Sequence, residues 1–544
     1  MSTMSRLILL YCLFFLSPAY VVGQSKKPLF VFDLSIQGNT IQNKFSNFNY
    51  FDKNKWISEE LEKLPDDYFL KNYPSITTIQ LMGAIGGNVE RDLFVSPLDN
   101  NVTNDYDFSK LIKACRNIIR KGLIPHICLT SVPLKLSKQP QIGYFGVNVK
   151  EPDNFDAWYT YIRAIANELK SQFGLKEIRN WKWQIGVEYE NKNWFNAGTP
   201  ETTKIMFFKL YDYGEAALED VLGKKNVFIG THAMACADSY WDELSLFDHV
   251  AKEKNYKTGK IGTRLDFYAI SYYDPLPCTM NSLRLLSVIN RAINKAHSVG
   301  LNNLKFGVNE GRVLTGWDFK ELETRVTQHP IQGPADAKLF KTLVENNIDY
   351  FSSWSDGSIN GPPLLIFNTM NLLYKMVGNQ VVHSYSNLNK LTNYTDEVDG
   401  MASYNASRNI CNFFVYNNNN NPNEKASESV IIALTNIQSV PDKTLSVRRW
   451  ILNEDHSNWW KEWASDCLNN GIVDSSYNWS SYLNTPQKKK IWSVNSDKYY
   501  RLGKLTSTEE SIEIKDNQLL INITIPHHSL FFYEIEFVQP INSK

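Results

Sequence analysis

The sequence predicts an α/β protein: a (β/α)8 TIM barrel with a C-terminal antiparallel β-sandwich domain. Up to about residue 375, short apolar runs alternate with longer helical patterns. Eight such units over this length favour parallel strands closed into a barrel over an open doubly wound sheet. After about residue 380 the helical periodicity fades and short alternating runs dominate, as is typical of antiparallel sandwiches. The 544 residues and 43% hydrophobic content suffice for both domains.

The predicted barrel occupies residues 24–380 and holds eight strand candidates. These are Leu29–Leu34, Thr77–Met82, Leu123–Thr130, Trp181–Val187, Val227–Thr231, Phe267–Tyr272, Leu304–Val308 and Tyr350–Trp354. Helical patterns lie between many of them, over Asp107–Lys121, Asp156–Phe173, Thr203–Leu222, Ser282–Ser298 and Ala335–Asn346. Parallel strands need such crossovers, because each connection must carry the chain back across the sheet.

The predicted sandwich occupies residues 381–544. Its strand candidates are Asn412–Tyr416, Ser429–Thr435, Leu445–Leu452, Ser511–Ile514 and Gln518–Ile525. Turn-rich stretches separate these short runs, as expected for antiparallel strands. The last run, Ser529–Val538, predicts either a sandwich strand or a strand that returns to the barrel.

The N-terminal residues predict a secretory signal peptide over residues 1–23. Arg6 precedes an apolar run over residues 7–16, and Pro18 and a small-residue ending follow it. This order of charge, apolar core and cleavage site is typical of such peptides, and the apolar run is short for a membrane span. We expect cleavage before Gln24 and a destination in the secretory pathway, extracellular or lysosomal, without membrane attachment. An uncleaved anchor is the alternative.

Sequons and cysteines agree with a secreted protein. The Asn-x-Ser/Thr sequons begin at Asn101, Asn393, Asn405, Asn478 and Asn522. After removal of the signal segment the cysteines are widely spaced and form no Cys-x-x-Cys pair, which argues against a zinc ribbon. The disulfide we predict joins Cys411 and Cys467, because both lie in the C-terminal region.

Charge and missing motifs exclude several classes of function. The chain has 57 basic and 57 acidic residues, whereas a nucleic-acid-binding protein needs a basic surplus to neutralise phosphates. No glycine-rich dinucleotide motif follows the first strand, and the sequence contains no P-loop. No His-x-x-x-His or Gly-x-Ser-x-Gly motif indicates a catalytic metal or an acyl hydrolase. We therefore predict no cofactor, no metal and no nucleic-acid partner.

Two predicted strands end in carboxylates. The active site of a (β/α)8 barrel forms at the C-terminal ends of its strands. Strand four runs into Glu188 and Glu190, and strand seven runs into Glu310, across the lumen. Glycosidic bond cleavage requires two such groups, one protonated and one ionised. The structural alternative is that each glutamate is an ordinary surface or loop-pairing residue.

Other strand ends carry side chains suited to sugar binding. Trp354 closes strand eight, where its indole could form a floor under a sugar ring. Tyr273 follows strand six, and His232 follows strand five. Ordinary packing is the alternative for each of them.

These motifs together resemble glycoside hydrolase family 39, whose members include β-xylosidases and α-L-iduronidases. Residues 183–188 resemble the family's Phe-Glu-x-Trp-Asn-Glu segment, which implies that Glu188 is the acid/base. Residues 309–317 are similar to the iduronidase segment Asp-Glu-Ala-Asp-Pro-Leu-Val-Gly-Trp, which implies that Glu310 is the nucleophile. Residues 448–458 resemble a Tyr-Arg-Ile-Asp-x-x-His-Ser-Asn stretch of the family's sandwich.

The resemblance implies a secreted retaining glycosidase with a carbohydrate substrate and no cofactor. The residues that we expect to contact the substrate are Trp354, Tyr273, His232, Asn309, Arg312 and Glu190. For Glu188 to act as an acid near neutral pH, burial and the charge of Glu310 must raise its pKa.

The sequence departs from the family pattern at three positions. Val187 replaces the asparagine that precedes the acid/base, so another residue supplies that contact or the substrate differs. Gln184 replaces a family glutamate. Arg312 stands where iduronidases have aspartate, and it could clamp a substrate carboxylate or form a salt bridge at the rim.

Glu190 is the alternative acid/base, with Glu188 then structural.

Two other functions compete with hydrolysis. A non-catalytic carbohydrate-binding protein on a degenerate barrel would explain Val187 and Gln184, which replace polar family residues near the proposed acid. A transglycosidase would use the same carboxylates but transfer the glycosyl group to an acceptor sugar.

Overall fold

A computed structural model describes residues 29–52, 55–235, 239–275, 282–314, 328–354, 361–386, 397–419, 421, 424–437, 444–472 and 485–537. The predicted signal segment lies outside these residues. The side chains of Arg312 and Trp354 also lie outside the described part, although the backbones of both belong to strands.

The strands in chain order are β1 (Leu29–Thr40), β2 (Asn47–Tyr50), β3 (Thr78–Leu81), β4 (Ile124–Leu129), β5 (Lys182–Ile185), β6 (Ile229–Ala233), β7 (Phe267–Pro275), β8 (Lys305–Leu314), β9 (Tyr350–Trp354), β10 (Gln380–Ser386), β11 (Glu397–Asn405), β12 (Ile410–Asn418), β13 (Ser427–Thr435), β14 (Thr444–Leu452), β15 (Ser507–Lys515), β16 (Gln518–Pro526) and β17 (Ser529–Glu536). The α-helices are α1 (Ser58–Leu61), α2 (Tyr68–Asn72), α3 (Ser109–Arg120), α4 (Phe155–Phe173), α5 (Leu175–Ile178), α6 (Pro200–Leu222), α7 (Ser245–Lys252), α8 (Ser282–Ser298), α9 (Gln332–Glu345), α10 (Leu365–Tyr374), α11 (Trp460–Asn469) and α12 (Pro486–Gly503).

Strands β2 to β9 form a closed parallel barrel in sequence order, with β9 paired to β2. The predicted fold class is therefore confirmed. The prediction that Leu29–Leu34 is the first barrel strand is wrong, because β1 pairs with β10 and β13 in the second sheet. The first barrel strand is instead β2, whose short alternation of polar and aromatic residues gives a weak strand signal. The predicted fourth and seventh barrel strands keep their order as β5 and β8.

The second sheet contains the other nine strands of the described residues, in the order β1-β10-β11-β12-β17-β14-β15-β16-β13. Its pairs are antiparallel except for β1 with β13, which closes the circuit of hydrogen bonds. Strand β17 lies between β12 and β14 and therefore belongs to the sandwich rather than the barrel.

Local sequence patterns explain these elements. Along β16 every second residue is buried, including Leu519, Ile521 and Ile523, as expected for a strand with one face on a core. In α4 the buried residues recur at helical spacing, and the Asn154 side chain caps the helix by accepting a hydrogen bond from the Asp156 amide. Each pattern places the apolar side chains of its element on the face that packs against the core of its own domain.

Helix α9 joins the two domains, because it packs against both α10 and the sandwich strands β11, β12 and β17. Lys341 forms a largely buried ion pair with Asp399 of β11, with 2.7 Å between the charged atoms. The Gln328 amide donates a hydrogen bond to Asn458 Oδ1 at 2.7 Å. Asn458 ends the family-like stretch 448–458, so this stretch lies at the junction between the domains.

Cys411 is a free thiol buried in the sandwich core, so the predicted disulfide with Cys467 is wrong. Burial of this kind makes cysteine an ordinary small apolar residue. Among the helices of the described residues, none combines the length and apolar character that a membrane crossing requires.

Candidate active site

The turn after β5 places Glu188 at the mouth of the barrel. Gly186 has φ of 80°, and a Cβ there would lie 2.7 Å from the Phe207 ring. Glu188 itself has φ of 42°, in the left-handed region that non-glycine residues avoid. Such a backbone persists only where the surroundings hold it in place, and it is enriched at functional sites.

The side chains of Ser271 and Asn191 donate hydrogen bonds to the Glu188 carboxyl group. The Ser271 hydroxyl, from β7, lies 2.6 Å from Oε1. The Asn191 amide lies 2.8 Å from Oε2. Glu188 is only 7% exposed, so this group is oriented by protein atoms. Val187 is buried in an apolar cluster with Trp194, whereas the Asn191 side chain supplies an amide to Glu188.

Glu310 lies in β8 next to an irregularity in the pairing with β7. Val308 pairs with Ile270, whereas Glu310 pairs with the following residue, Ser271, so Asn309 is the extra residue of a β-bulge. Bulges redirect side chains and are common beside active sites. The Tyr273 hydroxyl donates a short hydrogen bond to Glu310 Oε1, and Glu310 is 6% exposed.

The two carboxylates converge. One ligand atom from each of Glu188, His232 and Glu310 lies within 4.8 Å of the other two. These three side chains could hold a metal ion, although His232 Nε2 already lies 2.8 Å from Ser271 Oγ. Two carboxyl groups this close together can act on the same glycosidic bond.

The predicted substrate-contacting residues occupy different environments. Asn309 is fully buried and joins two lumen side chains: its amide donates to Gln184 Oε1 at 2.6 Å, and its Oδ1 accepts from the Tyr350 hydroxyl at 2.8 Å. His232 is also fully buried, and burial lowers its pKa to about 3, so its ring is neutral at physiological pH. Asn309 and His232 therefore contact the protein interior in this structure.

Glu190 lies two residues from Glu188 but is fully buried. Its Oε1 accepts a hydrogen bond from the Ala235 amide at 2.8 Å. Burial raises the pKa of Glu190 to about 8, so the carboxyl is mostly protonated at neutral pH. This environment favours a structural role for Glu190.

The sequence pattern does not mark Ser271 and Asn191 as site residues, although the structure places both against Glu188. Ser271 lies near the C-terminal end of the predicted strand Phe267–Tyr272, and active-site residues of barrels cluster at such strand ends. Asn191 lies three residues after Glu188, at a spacing that a tight turn brings together.

Comparison with known proteins shows which family the chain is similar to. Residues 89–296 match the model described as glycosyl hydrolases family 39. A β-xylosidase from Caldicellulosiruptor saccharolyticus is 30% identical over 105 residues, which are 19% of this chain and 21% of that protein. An α-1,4-L-rhamnosidase from Formosa agariphila (strain DSM 15362 / KCTC 12365 / LMG 23005 / KMM 3901 / M-2Alg 35-1) is 21% identical over 454 residues, 80% of this chain and 86% of that protein.

The fold has solved counterparts. A monomeric β-xylosidase from Caulobacter crescentus CB15 aligns with a TM-score of 0.65 and 12% identity. The alignment covers 94% of this chain and 100% of that one, so both domains are included. The matched segment lies within the barrel and contains Glu188. The chain is therefore a glycoside hydrolase family 39-like protein.

Proposed function

We propose that this protein is a retaining glycosidase that hydrolyses O-glycosidic bonds, with Glu310 as nucleophile and Glu188 as acid/base. The observation that carries the proposal is that one carboxyl oxygen of Glu188 and one of Glu310 lie within 4.8 Å of each other at the mouth of one barrel. Retaining enzymes hold their carboxyl groups about 5–5.5 Å apart, whereas inverting enzymes need about 6.5–9.5 Å to admit a water molecule.

The reaction would proceed in two displacements. An oxygen of ionised Glu310 attacks the anomeric carbon while protonated Glu188 gives its proton to the departing glycosidic oxygen. Glu188, now ionised, then takes a proton from water, and the resulting hydroxide attacks the anomeric carbon and releases Glu310. The Tyr273 hydroxyl holds Glu310 Oε1, so attack from Oε2 leaves that hydrogen bond in place.

The surroundings of Glu188 and Glu190 support this assignment of roles. Glu188 lies close to Glu310 at the barrel mouth, whereas Glu190 is fully buried and held by the Ala235 amide. An acid/base must reach the glycosidic oxygen and later a water molecule, and a carboxyl without exposed surface reaches neither.

The substrate class that we propose is a glycoside of a pentose, a deoxyhexose or a uronic acid. Support comes from the resemblance to β-xylosidases and α-L-iduronidases and from the similarity to an α-1,4-L-rhamnosidase. A panel of aryl xylosides, iduronides, rhamnosides, glucuronides, galactosides and arabinosides would identify the sugar. We expect hydrolysis of at least one, and no hydrolysis of any would contradict the proposal.

Glu310→Ala tests the nucleophile on the substrate that the panel identifies. We expect loss of hydrolysis, because no group remains to form the glycosyl-enzyme, and partial recovery with azide as a glycosyl azide product. Glu190→Gln is the matched control, since it changes a nearby glutamate to its isosteric amide. Activity retained in the Glu310 variant would remove this residue from the nucleophile role.

We also propose that the protein enters the secretory pathway through cleavage before Gln24. Two sequon asparagines, Asn101 and Asn522, lie exposed on the surface, where a glycosyltransferase could reach them. Expression of the full chain in a eukaryotic secretory host should give a secreted protein whose N-terminal sequence begins at Gln24. Retention of residues 1–23 in the secreted product would contradict this proposal.

A further inference from the structure

The hydroxyl of Ser271 connects the proposed acid/base to a buried histidine. Ser271 Oγ lies 2.6 Å from Glu188 Oε1 and 2.8 Å from His232 Nε2. Ser271 and His232 are fully buried, so the contacts are shielded from bulk water. We propose that Ser271 and His232 are positioning residues that hold the Glu188 carboxyl in its reactive orientation in both of its protonation states. This inference rests on the proposed function.

Three consecutive barrel strands fix the relative positions of these groups. Glu188 follows β5, His232 lies in β6, and Ser271 lies in β7. The main chain of β6 also holds the turn after β5: the Tyr189 amide donates to the His232 carbonyl at 3.2 Å. The His232 backbone therefore contacts the segment of Glu188 directly, and the His232 side chain contacts Glu188 indirectly, by way of the Ser271 hydroxyl.

A hydroxyl suits a carboxyl group that alternates between two states. Ser271 has one proton to donate and two lone pairs that accept. It donates to Oε1 when Glu188 is ionised and then accepts a hydrogen bond from the Nε2–H of His232. It can accept from Oε1 when that oxygen is protonated and then donate to Nε2 of the other imidazole tautomer. The Asn191 amide nitrogen, in contrast, only donates to Glu188.

His232 supports this hydroxyl without adding a charge. Burial lowers the pKa of His232 to about 3, which keeps the ring neutral beside a carboxyl that must accept and release a proton. A neutral imidazole carries one donor and one acceptor, so Nε2 can match either orientation of the serine hydroxyl. The left-handed backbone of Glu188 adds a need for such support, since this conformation persists only where its surroundings hold it.

A leaving-group series on the identified sugar tests the proposal. Ser271→Ala should lower kcat/KM about 10- to 100-fold for an alkyl glycoside, because its departing oxygen depends on protonation by Glu188. For a dinitrophenyl glycoside, whose leaving group needs little protonation, the decrease should stay below about threefold. Equal losses on both substrates, or no loss on the alkyl glycoside, would overturn the proposal.

Histidine variants show whether His232 acts through Ser271. His232→Leu alone should produce the same selective loss, and His232→Gln, which keeps a side-chain amide, should recover part of it. In the Ser271→Ala background, His232→Leu should add less than about a threefold loss, because residues in one network are not additive. A full additional loss in the double variant would contradict positioning through the serine.

Matched controls separate positioning from folding. Ser352 of β9 and His126 of β4 are also fully buried polar residues of the barrel. Ser352→Ala and His126→Leu should leave the ratio of the two kcat/KM values unchanged, even where the melting temperature falls. The same selective loss in these controls would overturn the proposal. Failure of the proposed function would look different, since the unmodified protein would then hydrolyse no glycoside, or Glu310→Ala would keep wild-type activity on both substrates.

Discussion

The interiors of the two domains are built differently. The sandwich core is apolar, with Phe413 and Tyr533 stacked 4.6 Å apart between ring centroids and no exposed surface on either. The lumen of the barrel is lined by fully buried polar side chains, and Asn309 and Gln184 form a direct hydrogen bond there. Buried polar groups stabilise a fold only when they are hydrogen-bonded, but they orient their neighbours more strictly than apolar contacts do.

This difference separates two kinds of mutational effect. In the sandwich, loss of a side chain removes buried apolar area and lowers stability. In the lumen, Asn309 adjoins Glu310 in β8 and Gln184 lies in β5, the strand that leads to Glu188, so their loss should also disturb the geometry of the site. Substitutions in the two interiors can therefore be compared by their effects on stability and on activity.

The largest effect on activity is expected at the barrel mouth. Glu188→Ala should lower kcat/KM for a poor leaving group by about 10²–10⁴-fold, the usual contribution of a general acid. Azide should accelerate turnover of an activated glycoside by this variant and give a glycosyl azide of retained configuration. Glu190→Gln, two residues away, should change kcat/KM by less than about threefold. A larger loss of kcat/KM in the Glu190 variant than in the Glu188 variant would identify Glu190 as the acid/base and Glu188 as structural.

The largest effect on stability is expected in the sandwich. Phe413→Ala should lower the free energy of unfolding by about 3–5 kcal/mol, because it leaves a cavity in an apolar core. Denaturant titration measures this loss, and kcat/KM per folded molecule should stay at the wild-type value. A change in kcat/KM of more than about tenfold would show that the two interiors are not independent.

Asn309→Ala in the lumen should lower both stability and activity, each by less than the two substitutions above. It leaves the Tyr350 hydroxyl and the Gln184 carbonyl oxygen without the contacts that Asn309 provides, at a cost of about 1–3 kcal/mol of unfolding free energy. Because Asn309 adjoins Glu310, kcat should also fall by at least about tenfold. Denaturant titration and kinetics on one substrate would check both values. Unchanged kcat would mean that the lumen contributes only to packing.

The smallest effect is a pH dependence of stability. Burial raises the pKa of Glu190 to about 8 from an ordinary value of 4.5. Between these values the folded state binds more protons than the unfolded chain, so the unfolding free energy contributed by Glu190 falls as pH rises. Glu190→Gln should therefore show a shallower decline in melting temperature from pH 6 to pH 9. Parallel curves for both proteins would contradict the burial of an acid at this position.

The polar lumen also explains which strands the sequence reveals. Most barrel strands and their helices carry clear apolar patterns in the sequence. For example, the predicted strand that ends before Glu188 corresponds to β5. The first strand, β2, alternates Asn47 and Asn49 with aromatic residues, and these buried asparagines resemble a loop in the sequence. The more apolar Leu29–Leu34 run was a stronger strand signal, but its partners are sandwich strands that occur some 350–400 positions later. Nothing in the local sequence of a strand indicates partners that lie so far along the chain.

The candidate site is also only partly predictable from the sequence. Glu188 and Glu310 are visible in the sequence because strand ends in a barrel converge at one face. The Ser271 contact is not visible, because it joins residues 83 positions apart, one after β5 and one in β7 of the barrel. Burial likewise distinguishes Glu190 from Glu188 only in three dimensions, since both follow the same strand.

Covalent trapping of the glycosyl-enzyme tests the central claim most directly. A 2-deoxy-2-fluoro glycoside of the preferred sugar, with a good leaving group, should inactivate the enzyme and add the mass of one fluorosugar. Peptide mapping should place that mass on Glu310, whereas Glu310→Gln should acquire none. Attachment to another residue, or hydrolysis with inversion at the anomeric carbon and no covalent mass, would contradict the proposed roles of Glu310 and Glu188.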